Sequence, residues 1–586
     1  MRRHLPIAVV LAGIVAAPLV LPEYYVTLLN YVGLAGIVTL GLVLLTGIAG
    51  LTSFGQAAFV GLGAYATAVT TTVYGGTPWL GLAAGLALTG LVTLFLGFIT
   101  LRLSEHYLPL GTIAWGIAIY FVFGNLEILG KNSGIADIPP LSLFGRPVEG
   151  AGQMYVVIWG IALGALLAAR NLLDSRLGRA IRALRGHTTM AASLGIDTGR
   201  LKIVVFVYAA LLASLSGWLY AHFLRYVSPS PFAINGGIDY LFMTVIGGAG
   251  QVWGGFAGAA ILTLLREWLK DLLPRLFGHD GNYEIVVFGL LVIVLLQRTR
   301  EGLLPCLARF VPTPRRSARP THAEPLPRRQ QPAAGEPLLE VDQVSKQFGA
   351  LAAVNGLSFD IRAGEIVGLI GPNGAGKSTM FNLITGVLAP SSGQIRFRGH
   401  RLEAMRSREI ARLGIARTFQ HPSLLTELGA LENAALGAYL RGSAGFVAAS
   451  LRLERAEEAG LLGEAGRQLE RVGLGAFMHD TAGSLPLGSQ RILEIARALC
   501  ADPFLLLLDE PAAGLRHFEK VALAGVLRSL REAGVTVLLV EHDMDFVMGL
   551  VDRLVVMNFG QKLAEGTPAV IRVEPAVVEA YLGGVR

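Results

Sequence analysis

A polytopic α-helical membrane domain, followed by an α/β domain of the P-loop type with a small helical subdomain, is the fold class predicted by three features of the sequence. Hydrophobic residues make up 53% of the 586 positions and charged residues only 16%, against about a quarter charged in soluble globular chains. The long uncharged runs lie almost entirely before Arg298, and the remainder has the mixed pattern of a soluble domain. Within that remainder "GEIVGLIGPNGAGKST" leads from strand formers through a glycine-rich turn into a helix-compatible stretch. A chain of this length exceeds one core, so at least two domains are expected. Their predicted bounds are 1–305 for the membrane domain, 306–336 for a basic Pro-rich linker and 337–586 for the C-terminal domain.

The net charge of +7 does not call for nucleic acid. The arginines cluster in the linker and in loops beside apolar spans, where anionic lipid headgroups and the cytoplasmic bias of Lys and Arg account for them. Membrane lipid is the expected partner and nucleic acid is not. Cys306 and Cys500 stand far apart in segments expected to face the cytoplasm, so no disulfide is expected. The linker text "ARFVPTPRRSARPTHAEPLPRRQQPAAGEP" cannot bury enough apolar surface to order itself and reads as a tether, a structured basic binding arm being the other reading.

A membrane crossing needs about 20 mostly apolar residues. After Arg2 and Arg3, "PIAVVLAGIVAAPLVLP" is either a first span or a cleavable signal peptide, and we take it as a span. Further candidates run near Val26–Leu45, Leu51–Thr72, Trp79–Leu101, Leu108–Phe123, Met154–Ala169, Ile203–Phe223, Tyr240–Leu265 and Ile285–Leu296. The segment Arg170–Lys202, with Arg176, Arg179, Arg182, Arg185 and Arg200 against Asp174 and Asp197, is the strongest cytoplasmic signal. Counting back from it places Arg2 and Arg3 inside too. Counting forward, one crossing by Tyr240–Leu265 would put the P-loop domain outside. We therefore expect "IGGAGQVWGG" to break that candidate at Gly247, Gly248, Gly250, Gly254 and Gly255 into a re-entrant pair.

In "GLTSFGQAAFVGLGAYATA", Gly55, Gly61, Gly63, Ala57 and Ala64 permit close helix approach. Plain packing explains them, and lining of a path is the alternative, because Ser53 and Gln56 carry polar groups that a lipid-facing helix would not hold. From Asn30 to Pro274 the chain resembles the branched-chain amino-acid permease family. The resemblance rests on "GLTSFGQAAFVGLGAY", "DSRLGRAIRALRGHTTMAASLGID" and "YAHFLRYVSPSPF" followed by "VIGGAGQVWGG". It implies that the loop with "RALRGHTTMAASLGID" docks a short helix into an ATPase. Headgroup contact is the other reading of Arg179, Arg182 and Arg185.

In the C-terminal domain, strand formers Ile366–Ile370 precede Gly371, Pro372, Asn373, Gly374, Ala375 and Gly376, and Lys377, Ser378 and Thr379 open the helix. Backbone N–H groups of such a turn cradle phosphates, Lys377 reaches the outer phosphate oxygens, and the Ser378 hydroxyl suits Mg²⁺. "FLLLLDEP" ends a buried strand on Asp509, suited to Mg²⁺ through water, and Glu510, suited to polarise the attacking water. "VTVLLVEHDM" delivers His542 beside the γ-phosphate if the strands adjoin.

These motifs in this order resemble an ATP-binding cassette ATPase from Leu338 to the C-terminus, with ATP and Mg²⁺ as the implied ligands. By that resemblance Phe348 stacks on adenine, although an aromatic before a glycine could simply pack in a core. Gln420 in "ARTFQHPSLL" links Mg²⁺ to the permease contact, and Leu485, Pro486, Leu487, Gly488, Ser489 and Gln490 form the signature segment. The helical subdomain is expected over Met405–Leu485. The ending "EHDMDFVMGLVDRLVVMNFGQKLAEGTP" is similar to ATPases that partner branched-chain amino-acid permeases. Both halves thus imply one function, an ATP-driven importer subunit for branched-chain or related small amino acids. Urea or short amides are alternative solutes, and a half-transporter exporter is a lesser alternative. The resemblance further implies a second permease and a second ATPase, or a homodimer, and a soluble substrate-binding protein. It implies a multi-pass place in a bacterial inner membrane with the ATPase in the cytoplasm.

Two departures from the family pattern stand out. Pro486 occupies the position where most signatures carry serine, although proline suits the first helical position. Arg516 in "EPAAGLR" replaces the usual asparagine or aspartate.

Overall fold

The computed structural model describes residues 5–100, 107–277 and 323–582, with scattered positions between 287 and 303. They form two compact units. One holds the chain to Asp174, Leu184–Gly186 and the chain from Gly199 to position 303; the other holds Ser175–Ala183, His187–Thr198 and the chain from 323 onward.

The helices of the N-terminal half are α1 (Leu5–Val20), α2 (Glu23–Leu42), α3 (Gln56–Ala68), α4 (Pro78–Thr100), α5 (Leu108–Asn125), α6 (Ala151–Leu173), α7 (Arg176–Ala183), α8 (Thr188–Ser193), α9 (Thr198–Leu224), α10 (Ile234–Gly247) and α11 (Val252–Phe277). Five among the described residues are long and apolar enough to cross a membrane: α2 with its π-helical extension to Ile48, α4, α5, α6 and α9. Val32–Leu45 are buried without a break, so α2 is the centre of its unit. Leu91, Phe95 and Phe121 of α4 and α5 face outward, as apolar side chains in contact with lipid do.

The small residues of α3 serve close packing. A Cβ on Gly63 would lie 2.2 Å from Ser214 O, and one on Gly217 of α9 only 2.0 Å from Val60 O, so the two backbones touch where side chains would separate them. Ser53 and Gln56 are fully buried, and Ser53 Oγ and both amide atoms of Gln56 lack hydrogen-bond partners among the described residues.

The Tyr240–Leu265 candidate is two helices. α10 and α11 bend by 116° at their junction, where Gly248 has φ +114°, a conformation that only glycine adopts freely. The arms then pack so tightly that a Cβ on Gly258 would meet Met243 O at 1.7 Å. Arg2, Arg3, Cys306, the residues 306–322 of the linker and most of the Ile285–Leu296 candidate lie outside the described residues.

After a short antiparallel ribbon of β1 (Ser142–Leu143) and β2 (Arg146–Pro147) in the first unit, a six-stranded sheet in the second unit runs β12–β11–β5–β10–β9–β8, formed by Gln561–Gly566, Arg553–Asn558, Ile366–Ile370, Thr536–Val540, Leu505–Asp509 and Ile415–Arg417 respectively. All its pairings are parallel except β11 with β12. β5, β9 and β10 are buried at every residue, which is why they read as uninterrupted apolar runs. A second, antiparallel sheet runs β4–β3–β6–β7, from Leu351–Arg362, Pro337–Phe348, Ser392–Phe397 and His400–Arg401.

Two expectations change. The interval Met405–Leu485 is mostly helical, but it encloses β8, which pairs with β9 at the sheet edge and belongs to the α/β core. The described part of the linker, residues 323–336, does not hang as a tether. Leu326 packs on the core, the Arg329 N–H donates to Asp502 Oδ2 at 2.5 Å, and Arg441 donates to Pro327 O at 2.9 Å. One leucine and a few main-chain hydrogen bonds supply the order that composition did not promise.

Candidate functional site

Sheet register assembles the site. Leu369 of β5 pairs with Val540 of β10, and Val540 pairs in turn with Asp509 of β9. The three strands therefore end at one level, and Gly371 and Glu510, the next residues of β5 and β9, and His542, the second beyond β10, emerge at the carboxyl edge of a parallel sheet, the usual binding edge of such folds. At Gly371 a Cβ would lie 2.1 Å from Met557 O, and at Gly376 2.3 Å from Ala353 O, so both positions exclude any other residue.

Lys377 opens the helix Lys377–Ile384 and curls back, its Nζ donating to Gly371 O at 2.8 Å and Pro372 O at 2.9 Å. It is 8% exposed. Burial pushes its ammonium below the usual lysine range, while Glu510 and Asp509 pull the other way. A cation held on two carbonyls at the centre of a glycine-rich loop fits a polyphosphate, because anionic oxygens form stronger, charge-assisted bonds than neutral carbonyls do. Ser378 and Asn373 stand exposed at the mouth, with Thr379 one position further along the helix.

Asp509 is 6% exposed. Burial raises its carboxyl above the usual range, and Arg417 opposes that shift from 3.8 Å away. Gln420 Nε2 donates to Glu510 Oε2 at 3.1 Å. His542 Nδ1 lies 3.9 Å from the same oxygen, near it but outside hydrogen-bond reach. Glu510 itself has φ +47°, an uncommon value for a residue with a side chain. It is held there by its N–H on Val540 O at 2.9 Å and by Arg491 on its carbonyl at 3.1 Å.

Phe348 ends β3 half exposed, its ring 5.3 Å from Lys346 Nζ, so it does not pack in the core. The segment Leu485–Gln490 lies apart, and no hydrogen bond among the described residues joins it to the phosphate loop. Pro486 is the N-cap of the helix Leu487–Leu499, one position before the expected one. It therefore contributes no backbone donor ahead of the helix. Gln490 Nε2 folds back on Leu485 O at 2.8 Å. Arg516 caps the next helix, its N–H donating to Glu519 Oε2 at 2.8 Å.

The second unit also contains α7 and α8. Arg176 donates to Tyr439 O at 2.6 Å and Ala444 O at 2.8 Å, and stacks 4.6 Å from the Tyr439 ring. Arg179 forms a two-pronged pair with Glu458, its Nη2 lying 3.1 Å from Oε2. At 4% exposure Arg179 is not available to headgroups. Arg408 pairs with Asp197. Arg185 instead donates to Gly47 O at 3.1 Å within the membrane unit.

Several organising residues were not foreseen. Arg417 joins Asn382 and Thr385, each at 2.9 Å, to the neighbourhood of Asp509. Glu541, fully buried, accepts from Ala512 N at 2.5 Å and His542 N at 3.1 Å, tying the turn after β9 to the end of β10. Its carboxyl is raised by burial. Glu494 and Arg497, both about as buried as side chains become, pair at 2.9 Å. They hold Ser423, three residues after Gln420, through Ser423 N on Glu494 at 3.0 Å and Arg497 on Ser423 O at 2.7 Å. On the other side, burial and the charge of Arg497 lower the pKa of His187, just before α8. The one advance signal for Glu541 was its place directly before His542.

Residues 24–296 match the family described as the branched-chain amino acid transport system permease component. Residues 354–513 match the ABC transporter family, and residues 561–586 match the branched-chain amino acid ATP-binding cassette transporter family. The chain is 44% identical over 251 residues to the high-affinity branched-chain amino acid transport ATP-binding protein LivG of Salmonella typhimurium, spanning 42% of this chain and 98% of that one. It is 43% identical over 250 residues to the corresponding BraF of Pseudomonas aeruginosa, with the same shares of 42% and 98%. A solved nucleotide-free ATP-binding cassette from an ABC transporter is 31% identical, covers 42% of this chain and 99% of its own, and superposes with a TM-score of 0.38.

Proposed function

We propose, from the premise that this chain belongs to the branched-chain amino acid ABC transporter family and joins its permease and ATP-binding cassette in one polypeptide, that it is the importing subunit for branched-chain or related small amino acids. The observation that carries the reading is the makeup of the second unit. The catalytic edge of the cassette folds in one body with α7 and α8 of the permease half.

At that edge the loop Gly371–Gly376 and Lys377 hold the phosphates and Phe348 offers a face for adenine. Among the described residues no three His, Cys, Asp or Glu side chains converge to hold a metal unaided. The hard oxygens of Ser378, Gln420 and Asp509 suit Mg²⁺ shared with phosphate oxygens and water. Bound there, the ion would neutralise charge developing on the transferred phosphoryl group. Glu510 takes a proton from water as that oxygen bonds to the γ-phosphorus and the ADP oxygen leaves, with His542 beside the phosphoryl group. The signature segment Leu485–Gln490 faces a partner's nucleotide, supplied by a second ATPase or a second copy. Gln420, Ser423, Arg497 and the cassette groups that seat Arg176 and Arg179 then connect nucleotide state to the permease segment. A second permease and a soluble binding protein complete the importer, in a bacterial inner membrane with the cassette in the cytoplasm.

The test is reconstitution of the assembled transporter in liposomes with ATP on the cassette side and radiolabelled solute with its binding protein on the other. ATP-dependent leucine accumulation supports the reading. Accumulation of urea or short amides in place of leucine, or movement in the opposite direction, refutes it.

A further inference from the structure

The membrane unit contains a cavity of about 760 Å³ bounded by the start of α2, the later part of α9 and the α10–α11 hairpin. Its volume suits a small organic ligand. Ser216 and Tyr220 on its wall lie, at about 1.5 Å per residue, roughly 30 Å along α9 from that helix's beginning at Thr198. The cavity thus sits at the end of α9 away from the cationic Arg170–Lys202 segment.

Among the described residues four charged side chains line it: Asp239 on α10, and Arg266, Glu267 and Lys270 on α11. Arg266 grips Asp239 through two parallel bonds, Nη1 to Oδ2 at 3.0 Å and Nη2 to Oδ1 at 2.9 Å. Glu267 accepts from Tyr24 Oη at 2.6 Å and from Lys270 Nζ at 3.4 Å. The four are two anions and two cations. A rise of about 30 Å is the thickness of a hydrocarbon core, so these ionisable groups lie toward the far aqueous side of the membrane unit, where a solute would enter. The Arg266 and Asp239 side chains remain 38% and 29% exposed, so a solute in the cavity can reach both. Leu34, Val60, Met243 and Leu262 supply apolar wall beside them.

We propose that this cavity is the solute site of the permease, with Asp239 receiving the α-ammonium and Arg266 the α-carboxylate of an amino acid whose apolar side chain lies against Leu34, Val60, Met243 and Leu262. The proposal rests on the transport reading above and adds the residues that recognise the solute. A zwitterion lets each member of the pair exchange its partner for a guest charge of the same sign as that partner, so no charge is left unmatched. Urea has no net charges to offer and would leave the Asp239–Arg266 pair closed. An ion carrying one charge alone would strand the other side chain.

The experiment uses the assembled transporter in nanodiscs without binding protein. A reporter cysteine is placed at Asn235, on the cavity wall, in a Cys306→Ser background in which the one remaining native cysteine, Cys500, is fully buried, and labelled with a water-soluble maleimide; Thr263→Cys serves as the second probe position. Leucine is expected to slow labelling about fivefold or more and urea at the same concentration not at all. Asp239→Asn and Arg266→Gln are each expected to reduce the leucine effect to under about twofold while the rate without leucine stays within about twofold. With every charge intact, leucine is expected to protect better than 4-methylpentanoate or leucinamide, a comparison independent of variant folding. No protection by leucine in a complex that accumulates leucine overturns the site and leaves the transport reading standing. Equal protection by all three compounds, protection by urea, or protection that survives both variants also overturns it. A complex that accumulates no leucine removes the transport reading itself.

Discussion

Gln420 Nε2 donates to Glu510 Oε2 at 3.1 Å. A side chain from the loop after β8 thereby holds the carboxylate that follows β9, and the orientation of that carboxylate depends on a segment anchored by Glu494 and Arg497.

Glu510→Gln should therefore bind ATP with near-normal affinity. The amide oxygen still accepts from Gln420, but the group no longer takes a proton, and turnover should fall by about 10²–10⁴. Nucleotide binding and phosphate release measured on the same preparation check this, and wild-type turnover would remove Glu510 from the catalytic role.

Lys377→Ala should abolish useful nucleotide binding. It removes a buried cation and at least two charge-assisted bonds, a loss of about 3 kcal/mol or more, which is over a hundredfold in Kd. Unchanged affinity by equilibrium binding would contradict the phosphate-loop assignment.

Glu458→Lys should uncouple the two activities. Arg179 is then left buried against a like charge, which costs about 3–5 kcal/mol at that contact. ATP hydrolysis should persist while solute uptake falls. Exchanging the pair, Arg179→Glu with Glu458→Arg, should restore part of the uptake. Equal loss of hydrolysis and uptake in the single variant would mean that the contact only stabilises the fold.

Glu494→Ala should lower the melting temperature of the purified chain, since it leaves the fully buried Arg497 without its carboxylate, at a cost of about 3–5 kcal/mol. It should also slow ATP turnover, because Ser423 loses a partner close to Gln420. A melting temperature equal to wild type would contradict this.

Two nucleotide sites of unequal activity are expected when the chain pairs with a different ATPase. Pro486 supplies no hydroxyl and no N–H, Gln490 is turned back on Leu485 O, and Arg516 stands in the other departing loop. A site completed by this signature should hydrolyse poorly, and the one built on Lys377, Glu510 and His542 should hydrolyse well. The catalytic glutamate is changed to glutamine on one ATPase at a time. Loss of most turnover only on changing Glu510 is the expected result, and equal losses reject asymmetry.

The parts of the site that were legible are those in which neighbours in sequence are neighbours in space. The run Ile366–Ile370 and the loop after it, the strand ending in Asp509 and the one before His542 each announce themselves, because a strand buried on both faces must be apolar throughout. Arg417, Glu541 and the Glu494–Arg497 pair were not legible. Each is a common charged residue: Arg417 and Glu541 find partners far along the chain, and Glu494 and Arg497, an i,i+3 pair on one helix, take their role from the distant main chain of Ser423, and one sequence carries no record of such meetings. The same applies to residues 323–336, whose composition argued for disorder while Asp502 and Arg441 hold them.

By itself the sequence determined that the chain joins a membrane half to an ATP-binding half. This follows from hydrophobic run length and from local backbone constraints, which act within a few residues. Tertiary structure alone decided that Asp509, Glu510 and His542 reach one edge, that Tyr439 and Ala444 seat Arg176 while Glu458 seats Arg179, and that Asp239 faces Arg266 across a hairpin. Buried charges are stable only when matched, and the match is made by the register of strands and the crossing of helices that no local pattern encodes.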